Sequence, residues 1–167
     1  MMNDVVDAVV YDCSTGLFVW KYRPDMSNSW NARFAGKQAL NIDSDGYKSG
    51  RINYRIYQAH RVAWLIHYGE WPDGQVDHIN MVRSDNRIDN LRLATRSENA
   101  MNRGKQNDNT SGYKGVSWHK SSGKWQAKIK KNGKCIYLGT YHDVLEAHLA
   151  YCRAVHDVHG QFARISQ

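Results

Sequence analysis

Residues 75–99 read QVDHINMVRSDNRIDNLRLATRSEN. This stretch decides the fold of the first half of the chain. Gln75 to Asn80 is a short apolar–polar run that predicts a strand. A polar loop, RSDNRIDN, follows it, and Leu91 to Thr95 predicts a second strand. Thr95 or Ser97 can cap a short helix running to about Arg103, with Glu98 on its first turn. The order is strand, polar loop, strand, helix. Asp77 and His78 are adjacent, so a regular strand would send them to opposite faces. Asn90 and Asn99 lie further along the same unit. A carboxylate and an amide oxygen are hard donors that suit Mg²⁺. A histidine beside them suits proton abstraction from water near neutral pH.

Upstream, Leu17-Phe18-Val19-Trp20 is a short apolar run and Ser44-Asp45-Gly46 a turn. Tyr47 to Tyr57 alternates in part and predicts a strand, with arginines on one face. Ala59 to His67 changes to a helical stripe of Val62, Ala63, Leu65 and Ile66, and Gly69 marks its stop. Trp71-Pro72-Asp73-Gly74 then turns the chain into the decisive stretch.

Downstream, AMNRGKQNDNTSGY (100–113) is almost free of apolar side chains and reads as a linker. The expected organisation is a first domain over 1–103, with its strand–strand–helix core at about 74–103, then a linker over 104–110 and a second domain over 111–167. In the second domain Val116 and Trp118, then Trp125, Ala127 and Ile129, then Ile136 and Leu138 alternate with polar residues. Gly123 and Asn132-Gly133 mark the turns. A helix starts at Asp143 with Glu146 and stops at Gly160. The fold class expected is α+β: a β-rich N-terminal segment with a ββα unit, then a small three-stranded antiparallel sheet packed on one helix.

The chain has 167 residues, is 41% hydrophobic and 23% charged, and has a mean hydropathy of −0.70. That composition excludes a disordered tail and a membrane protein. The acidic N-terminus does not read as a signal peptide, and a cytoplasmic protein is expected. Net charge is +7, and its placement is uneven. Residues 101–135 carry 9 basic and 1 acidic side chains, whereas residues 1–59 carry 7 and 6. A field so localised is suited to phosphate, hence to nucleic acid. Cys13, Cys135 and Cys152 are odd in number, with no C-x2-C pair, so neither a structural zinc nor a disulfide framework is expected.

The segments AHRVAW, GEWPDGQVDHIN and SDNRIDNLRLATRSEN, within about 58–103, resemble the HNH homing endonucleases of phages, with their ββα-metal fold. The resemblance implies a DNA endonuclease with His78 as general base and Asn90 holding it in orientation through the polar loop. It implies Asp77 and Asn99 as ligands of one divalent metal ion. Asn99 in place of the motif's last histidine favours Mg²⁺ over zinc, with Mn²⁺ as a substitute. Where that family usually has glycine after the DHIN run, this chain has Met81-Val82.

The second domain resembles the AP2 DNA-binding domain. Its landmarks are Tyr113-Lys114-Gly115-Val116, Gly123-Lys124-Trp125, Ala127-Lys128-Ile129 and Tyr137-Leu138-Gly139-Thr140-Tyr141. The resemblance implies a sheet laid in the major groove of double-stranded DNA. The DNA-facing set it implies is Lys114, Ser117, His119, Lys128, Lys130 and Tyr137. Trp118 and Trp125 read as packing residues, and His148, His156 and His159 as packing or surface histidines. The expected partner is double-stranded DNA, with no membrane and no small-molecule cofactor. No heptad separates monomer from homodimer. The competing reading is a non-catalytic DNA-binding regulator led by the AP2-like module.

Overall fold

The structure is a computed structural model that describes residues 2–102, 104–105 and 108–165. It is α+β, and it forms two compact units, Met1–Leu93 and Ala94–Gln167.

The first unit opens with helix α1 (Met2–Val6) and a hairpin of β1 (Val9–Asp12) and β2 (Leu17–Trp20). Asp12 closes the hairpin turn, its carboxylate accepting from the backbone N–H and hydroxyl of Ser14. Helix α2 (Asn28–Phe34) is capped by Ser27. A three-stranded sheet follows, of β3 (Asn41–Ile42), β4 (Lys48–Ile52) and β5 (Arg55–Gln58).

The run from Tyr47 to Tyr57, expected as one strand, is a hairpin. Asn53 and Tyr54 both adopt positive φ, 45° and 67°, and reverse the chain. Positive φ at both central residues is the turn that matches strand twist, and asparagine tolerates it. Arg23 secures this turn through Nη2 on Asn53 Oδ1, at 2.6 Å.

Helix α3 (Ala59–Tyr68) buries Ala59, Val62, Ala63 and Leu65 and ends on Gly69 in the left-handed conformation, as its stripe predicts. These residues pack in one core with Val5, Val9, Phe18, Leu40, Ile52, Val76, Ile88 and Leu91. Strands β6 (Gln75–His78) and β7 (Leu91–Ala94) pair in a two-stranded sheet, with a 3₁₀ turn, Ile88–Asn90, leading into β7.

The second unit begins at Ala94. Helix α4 (Arg96–Asn102) starts with a reciprocal cap: Glu98 N–H donates to Thr95 Oγ1 at 3.2 Å, and Thr95 N–H to Glu98 Oε2 at 2.8 Å. Met101 of this helix is buried with Ala94 and Phe162. Strands β8 (Val116–His119), β9 (Lys124–Lys131) and β10 (Lys134–Tyr141) form an antiparallel sheet with β9 in the centre. Helix α5 (Val144–His159) lies on it, capped by Asp143 and followed by a 3₁₀ turn, Gly160–Phe162. Ala147, small enough for close approach, meets Val116 and Ala127, while Tyr151 and Val155 meet Ile129. Trp118 and Ile136 stay 45% and 40% exposed, although the sheet register puts both on the helix side.

Candidate active site and nucleic-acid face

Strand β6 carries Asp77 and His78, and both are buried, at 6% and 5% exposure. A buried carboxylate needs a countercharge. Arg92 of β7 supplies it, with Nε and Nη2 donating to Asp77 Oδ2 at 2.9 and 2.8 Å.

His78 is held from the loop. Its Nε2 lies 3.1 Å from Oδ1 of Asn86, a side chain with no solvent exposure. The Asn86 amide nitrogen is 3.4 Å from the carbonyl of Ser84, so the amide oxygen faces the ring. Nε2 must then carry the proton, which makes Nδ1 the basic nitrogen of the neutral ring. Burial pushes the His78 pKa below its ordinary value, against the upward pull of Asn86.

Two further rings flank His78. His60 of α3 meets it edge to face, with centroids 5.2 Å apart, and Tyr47 lies at 6.0 Å. Burial drives His60 to about 4, so it is neutral at pH 7.

Asn90, expected to orient His78 through the polar loop, bonds that loop and not the ring itself. Its Oδ1 accepts from Asn80 N–H at 2.9 Å, and its Nδ2 donates to Asp85 carbonyl at 2.8 Å. It ties the polar loop shut across its base, and Asn86 holds the place at His78. Asp85 is ordered in turn by Arg87, whose guanidinium holds that carboxyl down at about 2. The β1–β2 hairpin braces Asn86 from outside. Tyr11 donates its hydroxyl to the Asn86 carbonyl at 2.7 Å, and Ile88 N–H donates to Cys13 carbonyl at 3.1 Å. Gly16 lies so close that a Cβ there would fall 2.5 Å from Arg87 N. Asn86, Arg92 and His60 were not legible as site residues. The one signal for Asn86 was a second asparagine four positions before Asn90.

The turn after β6 keeps the backbone that glycine would give it. Met81 has φ 64°, and its N–H donates to His78 carbonyl at 3.0 Å. A side chain in this region costs roughly 1–2 kcal/mol. Met81→Gly is expected to stabilise the first unit by about 0.5–1 kcal/mol, after the extra freedom glycine brings to the unfolded chain is subtracted. Urea unfolding measures this; a loss of stability would show that Met81 packing outweighs its strain.

Asn99, the other expected ligand, stands on α4 in the second unit. Among the described residues, no cluster of three or more His, Cys, Asp and Glu side chains gathers as a metal site. The donors the sequence offers are instead one carboxylate and one amide. Asp77 is an oxygen donor of the class that hard divalent cations take, and Arg92 engages its Oδ2.

The second unit presents a separate chemistry. Cross-strand partners share a face. The register therefore places Tyr137 with Lys128, Cys135 with Lys130, Thr140 and Ser117 with Gln126, and His119 with Lys124 on the side away from α5. Five of the six expected DNA-facing residues, Ser117, His119, Lys128, Lys130 and Tyr137, thus meet on one open face. Lys124, Gln126 and Thr140 join them. Lys114 does not. Its ammonium is largely buried and donates to the carbonyl of Met101; burial, then Arg164 nearby, lowers it to about 8.

Among the histidines, His148 stacks on Tyr113 with centroids 4.3 Å apart, His156 is exposed, and His159 donates Nε2–H to Lys130 carbonyl at 2.9 Å. No helix among the described residues is long and apolar enough to cross a membrane.

Comparison with known proteins finds two families along the chain. The family described as HNH endonuclease matches residues 57–101, and the AP2 domain matches residues 111–161. Protein 3.8 of Escherichia phage T7 is 36% identical over 118 residues, which cover 70% of this chain and 97% of that protein. No solved structure matches the chain significantly. With buried Asp77 and His78 inside the first match and the basic sheet inside the second, the chain belongs to the HNH endonuclease family, in a phage-type form that carries an AP2 domain behind the HNH segment.

Proposed function

We propose that the chain is a metal-dependent DNA endonuclease of homing type, hydrolysing phosphodiester bonds in double-stranded DNA within the bacterial cytoplasm. The observation that carries this reading is the buried Asp77–His78 pair, with the tautomer of His78 set by Asn86. In this reading residues 1–103 cut, 104–110 link and 111–167 bind.

His78 Nδ1 accepts a proton from a water as its oxygen attacks phosphorus. The bond from phosphorus to the 3′ oxygen breaks, leaving a 5′ phosphate and a 3′ oxygen that takes a proton from solvent water to become a hydroxyl. Asn86 holds the ring and Asn90 holds the loop that carries Asn86. Arg92 holds the Asp77 carboxylate in place through its Nε and Nη2. Asp77 and Asn99 would hold one divalent ion, Mg²⁺ or its substitute Mn²⁺. When bound, that ion supplies charge neutralisation at the phosphate and the leaving oxygen.

The test is scission of supercoiled plasmid. Open circles with Mg²⁺ and none with excess EDTA, at unchanged affinity for duplex, are expected of a single centre per chain. Linear product at low conversion would assign a homodimer. Binding without scission under any divalent ion, across a genomic library, would overturn the nuclease reading.

The second reading, a DNA-binding regulator, draws on the open basic face of the sheet. Both readings require that face to meet phosphate. Replacing Lys128 and Lys130 together by Ala is expected to weaken duplex binding and to reduce the slope of log K against log salt by about 2. An unchanged slope would remove these residues from the interface.

A further inference from the structure

Three of the four residues that follow His78 are apolar and exposed. Ile79, Met81 and Val82 are 46%, 42% and 50% exposed. One such side chain is ordinary on a protein surface, but a group of them marks an interaction site. Here the usual polarity of a loop is reversed. Its asparagines Asn86 and Asn90 are buried, and its apolar side chains are left outside.

The loop is also held firmly. Asn80 Oδ1 accepts from Val82 N–H at 2.9 Å, and Asn80 Nδ2 donates to Asp85 Oδ2 at 2.7 Å. Asn80 N–H is bonded to Asn90 Oδ1, and Met81 N–H to His78 carbonyl. Arg83, next in sequence, donates from Nη1 to Asp45 carbonyl at 2.7 Å and lies 4.9 Å from the centre of the Tyr47 ring. The apolar side chains thus stand on a fixed backbone, and little order is lost when they meet a partner.

Met81 carries a second sign. Its φ of 64° is a conformation that glycine takes without strain. The strained side chain lies outside the hydrophobic core. Strain of this kind gathers at sites that touch a ligand. Position identifies the ligand. His78 is one to four residues away, so a phosphate at its ring brings the adjoining base pairs to this loop. Base faces are flat and apolar, and Met and Ile are among the side chains that part a base step.

We propose that Ile79, Met81 and Val82 form an apolar wedge that enters the base stack of duplex DNA at the step beside His78, with Met81 leading. This placement of the DNA rests on His78 as the base proposed above. An inserted side chain unwinds and kinks the duplex at that step. The exposed Arg83 adds a positive charge for the backbone beside it.

The test is relaxation of closed circular plasmid by a metal-independent type I topoisomerase in EDTA, with the full chain bound. Wild type is expected to leave negative supercoils in proportion to the protein bound. Met81→Gln combined with Val82→Thr keeps side-chain size and backbone strain and removes only apolar character. At equal occupancy it should lose most of that supercoiling, and its nicking in Mg²⁺ should fall about tenfold. Met81→Leu restores an apolar tip and should unwind like wild type. Met81→Gly should lose the unwinding although it is expected to be the more stable protein, which separates the wedge from folding. An unchanged linking number with wild type at saturation, wild-type unwinding by the polar variant, or a Met81→Leu protein as defective as the polar one overturns the proposal. Scission reads the nuclease assignment separately. Unwinding that the polar variant loses, without cutting by wild type, keeps the wedge and removes His78 as base. Cutting by wild type, with unwinding unchanged in the polar variant, does the reverse.

Discussion

His78→Ala is expected to lower plasmid nicking by about 10²–10⁴-fold while leaving duplex affinity unchanged. The two outcomes separate because His78 and the basic sheet belong to different compact units. His78 is buried on β6, so removing its ring takes away the proposed proton acceptor without touching the lysines of β9. Asn86→Ala should move activity in the same direction but less, by about 10–100-fold, as is common when the partner that orients a catalytic histidine is lost. Asn90→Ala should differ in kind. It unties Asn80 and Asp85 and should appear first as a lower melting temperature of the first unit. Nicking at the wild-type rate in His78→Ala, or equal loss of nicking and binding, would overturn the assignment.

Gly115→Ala is expected to destabilise the second unit by about 2–5 kcal/mol and to weaken duplex binding with it. Gly115 has φ 76°, and a Cβ there would sit 2.3 Å from Cδ2 of Tyr151 and 2.7 Å from the carbonyl of Lys128. Neither neighbour can give way. The Tyr151 ring is 2% exposed among Ile129 and Val155, and the Lys128 N–H is bonded back to Gly115 carbonyl at 2.8 Å. Backbone strain of roughly 1–2 kcal/mol adds to overpacking of about 1–3 kcal/mol. The sum is a large part of the 5–15 kcal/mol that holds an ordinary domain, and this unit is small. Gly112→Ala is the control, with φ 81° but nothing within 4 Å of its would-be Cβ. It carries the strain without the clash, and should cost only about 1–2 kcal/mol. Circular dichroism melts of the two variants decide it. Equal losses would remove the Tyr151 contact as the cause.

The two units were legible to different depths. The AP2-like sheet could be read almost in full, because antiparallel strands joined by short turns write their faces at period 2. Once Asn132-Gly133 fixed the register of β9 with β10, Lys128, Lys130 and Tyr137 had to fall on one side. Lys114 escaped that logic, since it precedes β8 and its direction is set by the carbonyl at the end of α4. The hairpin at Asn53-Tyr54 escaped as well, because a two-residue turn without glycine barely interrupts an alternating run.

The sequence by itself determined the strand–loop–strand–helix order of the HNH segment, its Asp77–His78 pair, the cap at Asp143 in the second unit and the concentration of net positive charge in residues 101–135. These depend on neighbours a few residues apart, where propensity, capping and charge are local quantities. Only the tertiary structure decided which asparagine meets His78, because Asn86 and Asn90 are equivalent in a loop until the hairpin bond from Tyr11 to Asn86 and the tie from Asn90 to Asn80 fix the path between them. Only it brought Arg92 to Asp77 across the strand pair, and His60 against His78 from a helix 18 positions earlier. Each of these contacts joins side chains distant in sequence, and each is set by packing in three dimensions rather than by spacing along the chain.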